Sequence, residues 1–299
     1  MQFGKVLNPE LVDFTLPKDH SDTAKTFAEK GRKSGEPKVY IGAARWSRAD
    51  MKGFYPRGTK DDLAYYSRQF NAIEMNSTFY RIFPPEQFIK WRDRTPDGFK
   101  FFPKIPQEIS HFKQLNNFQE PTDRFILAAS ELGDKLGTVF LQLKEQFAPN
   151  RFKLLQDFVE DWPTDLPLTV EVRHVDWFED ETVANELNDL LSKRNTQFTL
   201  VDTPGRRDML HMRMPNPSPF VRWVSSYHDL DYQRLDEWVE CIATWSEQGM
   251  EELHFFVHQK VETQAPLLAA YLTERLNTRM GWNLRVPNSP EDATPTLFG

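Results

Sequence analysis

Apolar positions along the chain fall into short β-rich runs separated by longer stretches of helical period. The runs are VYIGA (39–43), AIEMN (72–76), KFFPK (100–104), TVFLQL (138–143), LTVEVR (168–173), QFTLVD (197–202), PFVRWV (219–224) and ELHFFVH (252–258). The intervening stretches TKDDLAYYSRQF, PEQFIKWRDR, PTDRFILAASELGDKL, NRFKLLQDFVEDW, EDETVANELNDLLSKR and LDYQRLDEWVECIATWSEQG, with APLLAAYLTERLN after the last run, predict helices. Their apolar residues recur three and four apart, the spacing of one helix face. The sixth connection, TPGRRDMLHMRMPNPS, is too rich in proline for a long helix.

Strands alternating with helices predict right-handed crossovers and a parallel sheet. Eight such units over about 250 residues match a TIM barrel, whose sheet closes on itself and has no edge. A doubly wound open sheet is the alternative, but it announces itself by a Gly-rich first turn, and IGAARWSRADMKG does not supply G-x-G-x-x-G. The expected organisation is a single α/β barrel domain over 37–282. An N-terminal extension with one short helical patch precedes it over 1–36, and a short flexible tail, Pro-rich and acidic, follows over 283–299.

Chemistry in such a barrel sits at the C-terminal ends of the strands. There the runs end in Arg45 and Trp46, Glu74 and Asn76, Lys104 with His111 beyond it, Gln142, Glu171 with Arg173 and His174, Asp202, Arg222 and His258. In AIEMN, Ile73 and Met75 share one face and Ala72, Glu74 and Asn76 the other, so Glu74 is expected to face the barrel interior. Taken singly, each of these is a solvated strand tip or an ion-pair partner. His254 reads as a satisfied core histidine, and aromatics such as Trp177 as packing beneath loops. Collectively they are harder to explain by packing, because buried charge is costly unless matched and a barrel needing only a plug uses Val, Ile and Leu.

Glu74, Glu171 and Asp202 are therefore the candidate catalytic carboxylates. Candidate ligand-binding residues are Trp46, Asn76, Tyr80, Lys104, His111, Gln142, Arg173, His174, Trp177 and Arg222. In one reading the cations hold an anion while a carboxyl of raised pKa moves a proton. In the other, Glu74, Glu171 and Asp202 with His258 or His174 hold a divalent metal. The absence of a compact motif such as H-E-x-x-H disfavours the metal.

Composition narrows the partners. A net charge of −7 argues against broad binding to duplex DNA or anionic membrane, which rests on a basic face. No apolar run reaches the length of a membrane span, and the first residues lack the pattern of a signal peptide. The single cysteine, Cys241, sits at helical spacing from Trp238 and Trp245, which reads as packing in a reducing compartment. A cytoplasmic location is expected.

Taken in order, IGAARWS with FYP close behind, NAIEMNSTFYRIFPP, GFKFFPKIPQEISHF, LGTVFLQLKEQF, TVEVRHVDWF and FVRW resemble the YecE-like proteins, domain of unknown function 72, over about residues 39–280. The resemblance implies a TIM barrel and no settled activity. Carried over by motif position, it marks Trp46, Glu74, Asn76, Tyr80, Lys104, His111, Gln142, Glu171, Arg173, His174, Trp177, Asp202 and Arg222. The chain departs from the pattern at Val257, His258 and Gln259, where many relatives have Phe-Asn-Asn.

Three functional readings follow. The favoured one is an enzyme of hydrolase or lyase type working by acid–base chemistry on a small or oligomeric anionic ligand, such as a phosphorylated sugar or nucleotide. Glu171 is its expected acid or base. The second is a nucleic-acid-associated hydrolase or binder, metal-dependent or not. It is suggested by the aromatic and basic residues of RWSRADMKGFYPR and by the tail ending PTLFG. The third is a non-catalytic ligand-binding or scaffold protein. The oligomeric state is left open.

Overall fold

The computed structural model describes residues 6–259 and 262–288. The PTLFG end of the tail lies outside the described residues. Eight strands form one parallel sheet: β1 Lys38–Ala43, β2 Ala72–Met75, β3 Lys100–Pro103, β4 Val139–Gln142, β5 Leu168–Glu171, β6 Gln197–Asp202, β7 Phe220–Val224 and β8 Glu252–His258. Their order is β3-β2-β1-β8-β7-β6-β5-β4. The two end strands approach through single bridges, Phe101 to Leu136 and Lys104 to Phe140, so the barrel is nearly closed.

The surrounding helices are α1 Ser21–Lys30, α2 Asp62–Gln69, α3 Ser77–Tyr80, α4 Pro85–Asp93, α5 Gln119–Ala129, α6 Phe152–Asp161, α7 Asp176–Glu179, α8 Glu181–Lys193, α9 Leu230–Gln248 and α10 Ala265–Met280. None of the described helices is long and apolar enough to cross a membrane. Every helix read from the periodicity is present. Between β6 and β7 only a short 3-10 turn, Arg207–Met209, forms, as the prolines there require.

Strand alternation sorts the side chains into two populations. Outward residues build the large core between sheet and helices, with Ile73, Met75, Leu141, Val170, Leu200 and Val221 fully buried. Inward, Ala72, Phe102, Phe140, Phe220 and Phe256 plug the lower barrel, with Tyr40 packed against them. Two residues further along the same strands stand Glu74, Lys104, Gln142, Arg222 and His258, and Glu171 follows Thr169 in the same way. The period of two thus places a polar layer directly above an aromatic plug. Gly42 permits the close approach of β1 to β2, since a Cβ there would lie 2.4 Å from the Ala72 carbonyl oxygen.

The N-terminal segment is built into the helical ring. Helix α1 lies between α8 and α9, where the sixth connection supplies no helix of its own. Lys30 Nζ donates to the Ser192 carbonyl at 2.9 Å, and Trp245 Nε1 donates to Asp19 Oδ2 at 2.9 Å. Thr23 Oγ1 donates to the Met212 carbonyl at 3.0 Å and accepts from Met214 N at 3.2 Å, tying α1 to the sixth connection itself. Phe27 is buried against this layer. Phe27→Ala is therefore expected to lower unfolding free energy by about 3–5 kcal/mol in urea titrations. A loss below about 1 kcal/mol, the range of an exposed position, would contradict the structural role of α1.

Candidate functional site

The polar layer is organised by one guanidinium. Arg222, from β7, donates from Nε to Glu74 Oε2 at 2.9 Å and from Nη2 to Glu74 Oε1 at 3.1 Å. Its Nη1 donates to Glu171 Oε2 at 2.7 Å. Glu74 stands on β2 and Glu171 on β5, neither of which neighbours β7, so the clamp spans the barrel interior. The guanidinium carbon lies 4.7 Å from the centroid of Phe140, part of the plug beneath.

Both carboxylates accept further hydrogen bonds. Glu74 accepts from Asn76 Nδ2 at 2.9 Å and from His258 Nε2 at 2.9 Å. Glu171 accepts from Gln142 Nε2 at 2.8 Å and from Arg173 Nε. Burial alone pushes both carboxyls up. Charge and hydrogen bonds from their neighbours overcome it, with Arg222 and His258 holding Glu74 well below the usual range and Arg173 and Arg222 bringing Glu171 to about 2. Both are ionised, Glu74 accepting four hydrogen bonds and Glu171 three. This suits them to hold Arg222 in place and ill suits them to carry protons, the role expected for Glu171.

Above the clamp opens a cavity of about 500 Å³. Asn76, Tyr80, Lys104, His111, Gln142 and Arg222 all line it, as the strand ends lead one to expect, and so do Arg45, Lys144, His258 and Glu262. Gln142 bridges clamp and cavity. Its Nε2 is committed to Glu171, which turns its Oε1 to accept from Lys104 Nζ at 2.8 Å. The Lys104 ammonium also sits 4.3 Å from the Phe79 ring centroid. Burial, reinforced by the charge of Arg222, pulls the Lys104 amine down to about 7. Burial likewise draws His111 to about 4, with Lys104 adding to the effect; its Nδ1 pairs with Ser110 Oγ at 2.9 Å. Burial lowers His258, whose Nε2 pairs with Glu74 Oε2 at 2.9 Å.

Glu262 is the residue that sequence reasoning missed. It lies just past β8, 1% exposed, with Oε1 accepting from Gln259 N at 3.4 Å. Its Oε2 has no hydrogen-bond partner among the described residues, and burial pushes its carboxyl up to about 8. A lone glutamate in a single 3-10 turn carries no periodic signal. Its one hint is its place beyond the C-terminal end of a strand.

Four expected residues are placed elsewhere. Asp202 follows Thr199 and Val201 out of step: those two face inward, so Asp202 faces α9. There it accepts from Arg234 Nη2 at 2.7 Å, from Trp238 Nε1 at 2.7 Å and from Arg207, an ion-paired tie between sheet and helix. Trp177 is fully buried, its Nε1 donating to the Phe147 carbonyl at 2.8 Å. Trp46 packs edge-on to Trp91 at 6.2 Å. His174 accepts from Asp176 N at 3.3 Å in the turn after β5. Arg173 belongs to the clamp through Glu171. Among the described residues no three His, Cys, Asp or Glu side chains converge to hold a metal ion, and Arg222 occupies oxygens of both Glu74 and Glu171.

Comparison with known proteins places the chain in a family. The protein YecE of Escherichia coli K12, designated UPF0759, is 27% identical over 279 residues, covering 86% of this chain and 99% of its own. The UPF0759 protein YunF of Bacillus subtilis is 26% identical over 149 residues, covering 47% of this chain and 52% of its own. Two solved DUF72 family proteins share the fold. The one from Enterococcus faecalis has a TM-score of 0.66 at 18% identity, over 84% of this chain and 99% of its own. The one from Thermotoga maritima has a TM-score of 0.64 at 22% identity, over 82% of this chain and 100% of its own. The family model described as protein of unknown function DUF72 matches residues 40–293, from the first strand of the barrel to beyond its last helix, and the chain belongs to that family.

Proposed function

We propose that the protein is an enzyme performing acid–base chemistry, of hydrolase or lyase type, on a small anionic ligand in the cavity above Arg222. One observation carries this reading: Lys104 and Glu262 face the same cavity with their proton affinities drawn toward neutrality from opposite sides, to about 7 and about 8. A base that is partly free near neutral pH and an acid that is still protonated there are the pair that general acid–base catalysis requires.

Each residue then has a distinct part. Lys104, as the neutral amine, takes a proton from the ligand or from an attacking water, and Glu262 gives one to the departing group. Arg222 and Lys144 provide charge-assisted hydrogen bonds to an oxyanion, with Asn76 and Gln142 beside them. Glu74 and Glu171 are positioning residues that act through Arg222. A phosphorylated sugar or nucleotide fits this charge pattern. The cytoplasmic location expected from Cys241 belongs to the same proposal.

The direct test incubates the purified protein with a small-molecule metabolite extract and follows consumption by mass spectrometry. At least one anionic species is expected to be consumed by the native protein and left intact by Lys104→Met and Glu262→Gln. A ligand recovered bound and unchanged, with nothing consumed, would favour a binding protein instead.

The clamp makes a separate prediction about stability. Glu171 has its folded carboxyl at about 2, below the ordinary 4.5, so the folded state binds fewer protons than the unfolded state between those values. Its contribution is fully present above the ordinary value and lost as pH falls toward 2. Glu171→Gln leaves Arg222 short of a partner and is expected to cost about 3–5 kcal/mol at neutral pH. In urea unfolding the deficit relative to the native protein should narrow as pH drops below 4.5. A deficit that does not change with pH would contradict the charge assignment.

A further inference from the structure

Beside the polar cavity lies a second concavity, an apolar groove of about 730 Å³. Its walls are the segment that follows β2, the turn after β3 and one face of α5. Phe79, Tyr80, Gln107 and Phe112 line both the groove and the polar cavity, so the two are continuous. Phe79 is the partition, with the Lys104 ammonium 4.3 Å from its ring centroid on the cavity side.

The groove is unlike the rest of the surface. Tyr80 and Phe112 are each 69% exposed and Leu127 is 67% exposed, three large apolar side chains around a single depression. Scattered apolar side chains need no explanation, but a contiguous exposed patch does. The cations on its rim have contacts of their own. Arg124 pairs with Glu120 at 3.1 Å and Glu108 at 3.6 Å, and Arg81 stacks on Phe83 at 4.3 Å. The remaining floor of Ile82, Leu127 and Ala128 offers nothing to a sugar hydroxyl and suits an apolar or aromatic surface.

We infer that the ligand of the barrel mouth is bipartite. Its oxyanion head, a phosphate or a carboxylate, sits over Arg222 and Lys144, and an aromatic or other apolar ring attached to the head lies in the groove against Tyr80, Phe112 and Leu127. This rests on the reading that the cavity binds an anion and adds the chemical class of the remainder of the ligand. Continuity of the two sites commits the groove to an arm of that ligand. Each volume falls in the range of about 300–1,000 Å³ typical of ligand sites, so the pair is larger than a small anion alone requires.

The test compares head groups with and without a ring on the full-length protein by calorimetry. 1-Naphthylphosphonate is set against methylphosphonate and 2-naphthoate against acetate; the phosphonates resist hydrolysis. The ring is expected to tighten binding at least tenfold in one pair, and the responding pair distinguishes phosphate from carboxylate chemistry. Leu127→Asn, at an exposed position, should bring the ring compound down to the affinity of its small counterpart. Leu127→Phe should keep the gain. Binding of the small anions with no gain from the ring would overturn the bipartite ligand and leave the anion site standing. Tight binding of uncharged 2-naphthol, equal to that of the ring anions, would make the groove an independent site and also overturn it. If none of the four anions binds, the anion reading falls and takes this inference with it.

Discussion

Arg222, held between Glu74 and Glu171, is the contact on which the upper half of the barrel depends. Three charges are buried together there, and each would be costly alone. Breaking such a pair by removing one partner is far more destabilising than never having built it, because a charge is left stranded. A hydrophobic layer would have filled the same space. The polar layer exists at the one end of the barrel where loops leave a cavity above it, and its geometry is fixed from three separate strands. This fixing is what a binding site needs, since a group held by several partners loses little freedom when a ligand arrives.

The clamp also sets the chemistry of its neighbours. Because Glu171 fixes the amide of Gln142, the oxygen of that amide faces Lys104. Burial first, and then the charge of Arg222 against the opposing pull of Glu74 and Glu171, discourages Lys104 from holding its own proton. The aromatic plug below removes water from the same side. Lys104 therefore combines three conditions that rarely meet on a lysine: burial, a nearby guanidinium and an opening onto a cavity. Glu262 reaches the complementary state by burial with too few donors.

Much of this was legible in the sequence, and for a definite reason. The eight strands and their helices follow from periods of two and 3.6, and the same period of two puts Glu74, Lys104, Gln142, Glu171 and Arg222 on inward faces. Asp202 misleads because position at a strand end was weighed above parity; counting from Thr199 turns it outward. His174 lies in the turn after β5 and Trp177 in the single-turn helix α7, where too few residues follow one another for a period to govern direction. Glu262 opens a single 3-10 turn, Glu262–Gln264, and the N-terminal segment finds its place through contacts with segments far along the chain, such as Met212 and Trp245. Alternation reports which face a residue occupies. It does not report which oxygens are already taken, as those of Glu171 are by Arg222, Gln142 and Arg173.

The central claim is that burial beside Arg222 leaves Lys104 as a group titrating near neutrality, and its titration by NMR of a ¹³Cε-lysine-labelled protein tests this most directly. One lysine signal, absent from Lys104→Met, is predicted to titrate at about 7 and to move upward when sulfate is added. A Lys104 signal that titrates at the ordinary value of 10.5 and ignores sulfate would contradict the account.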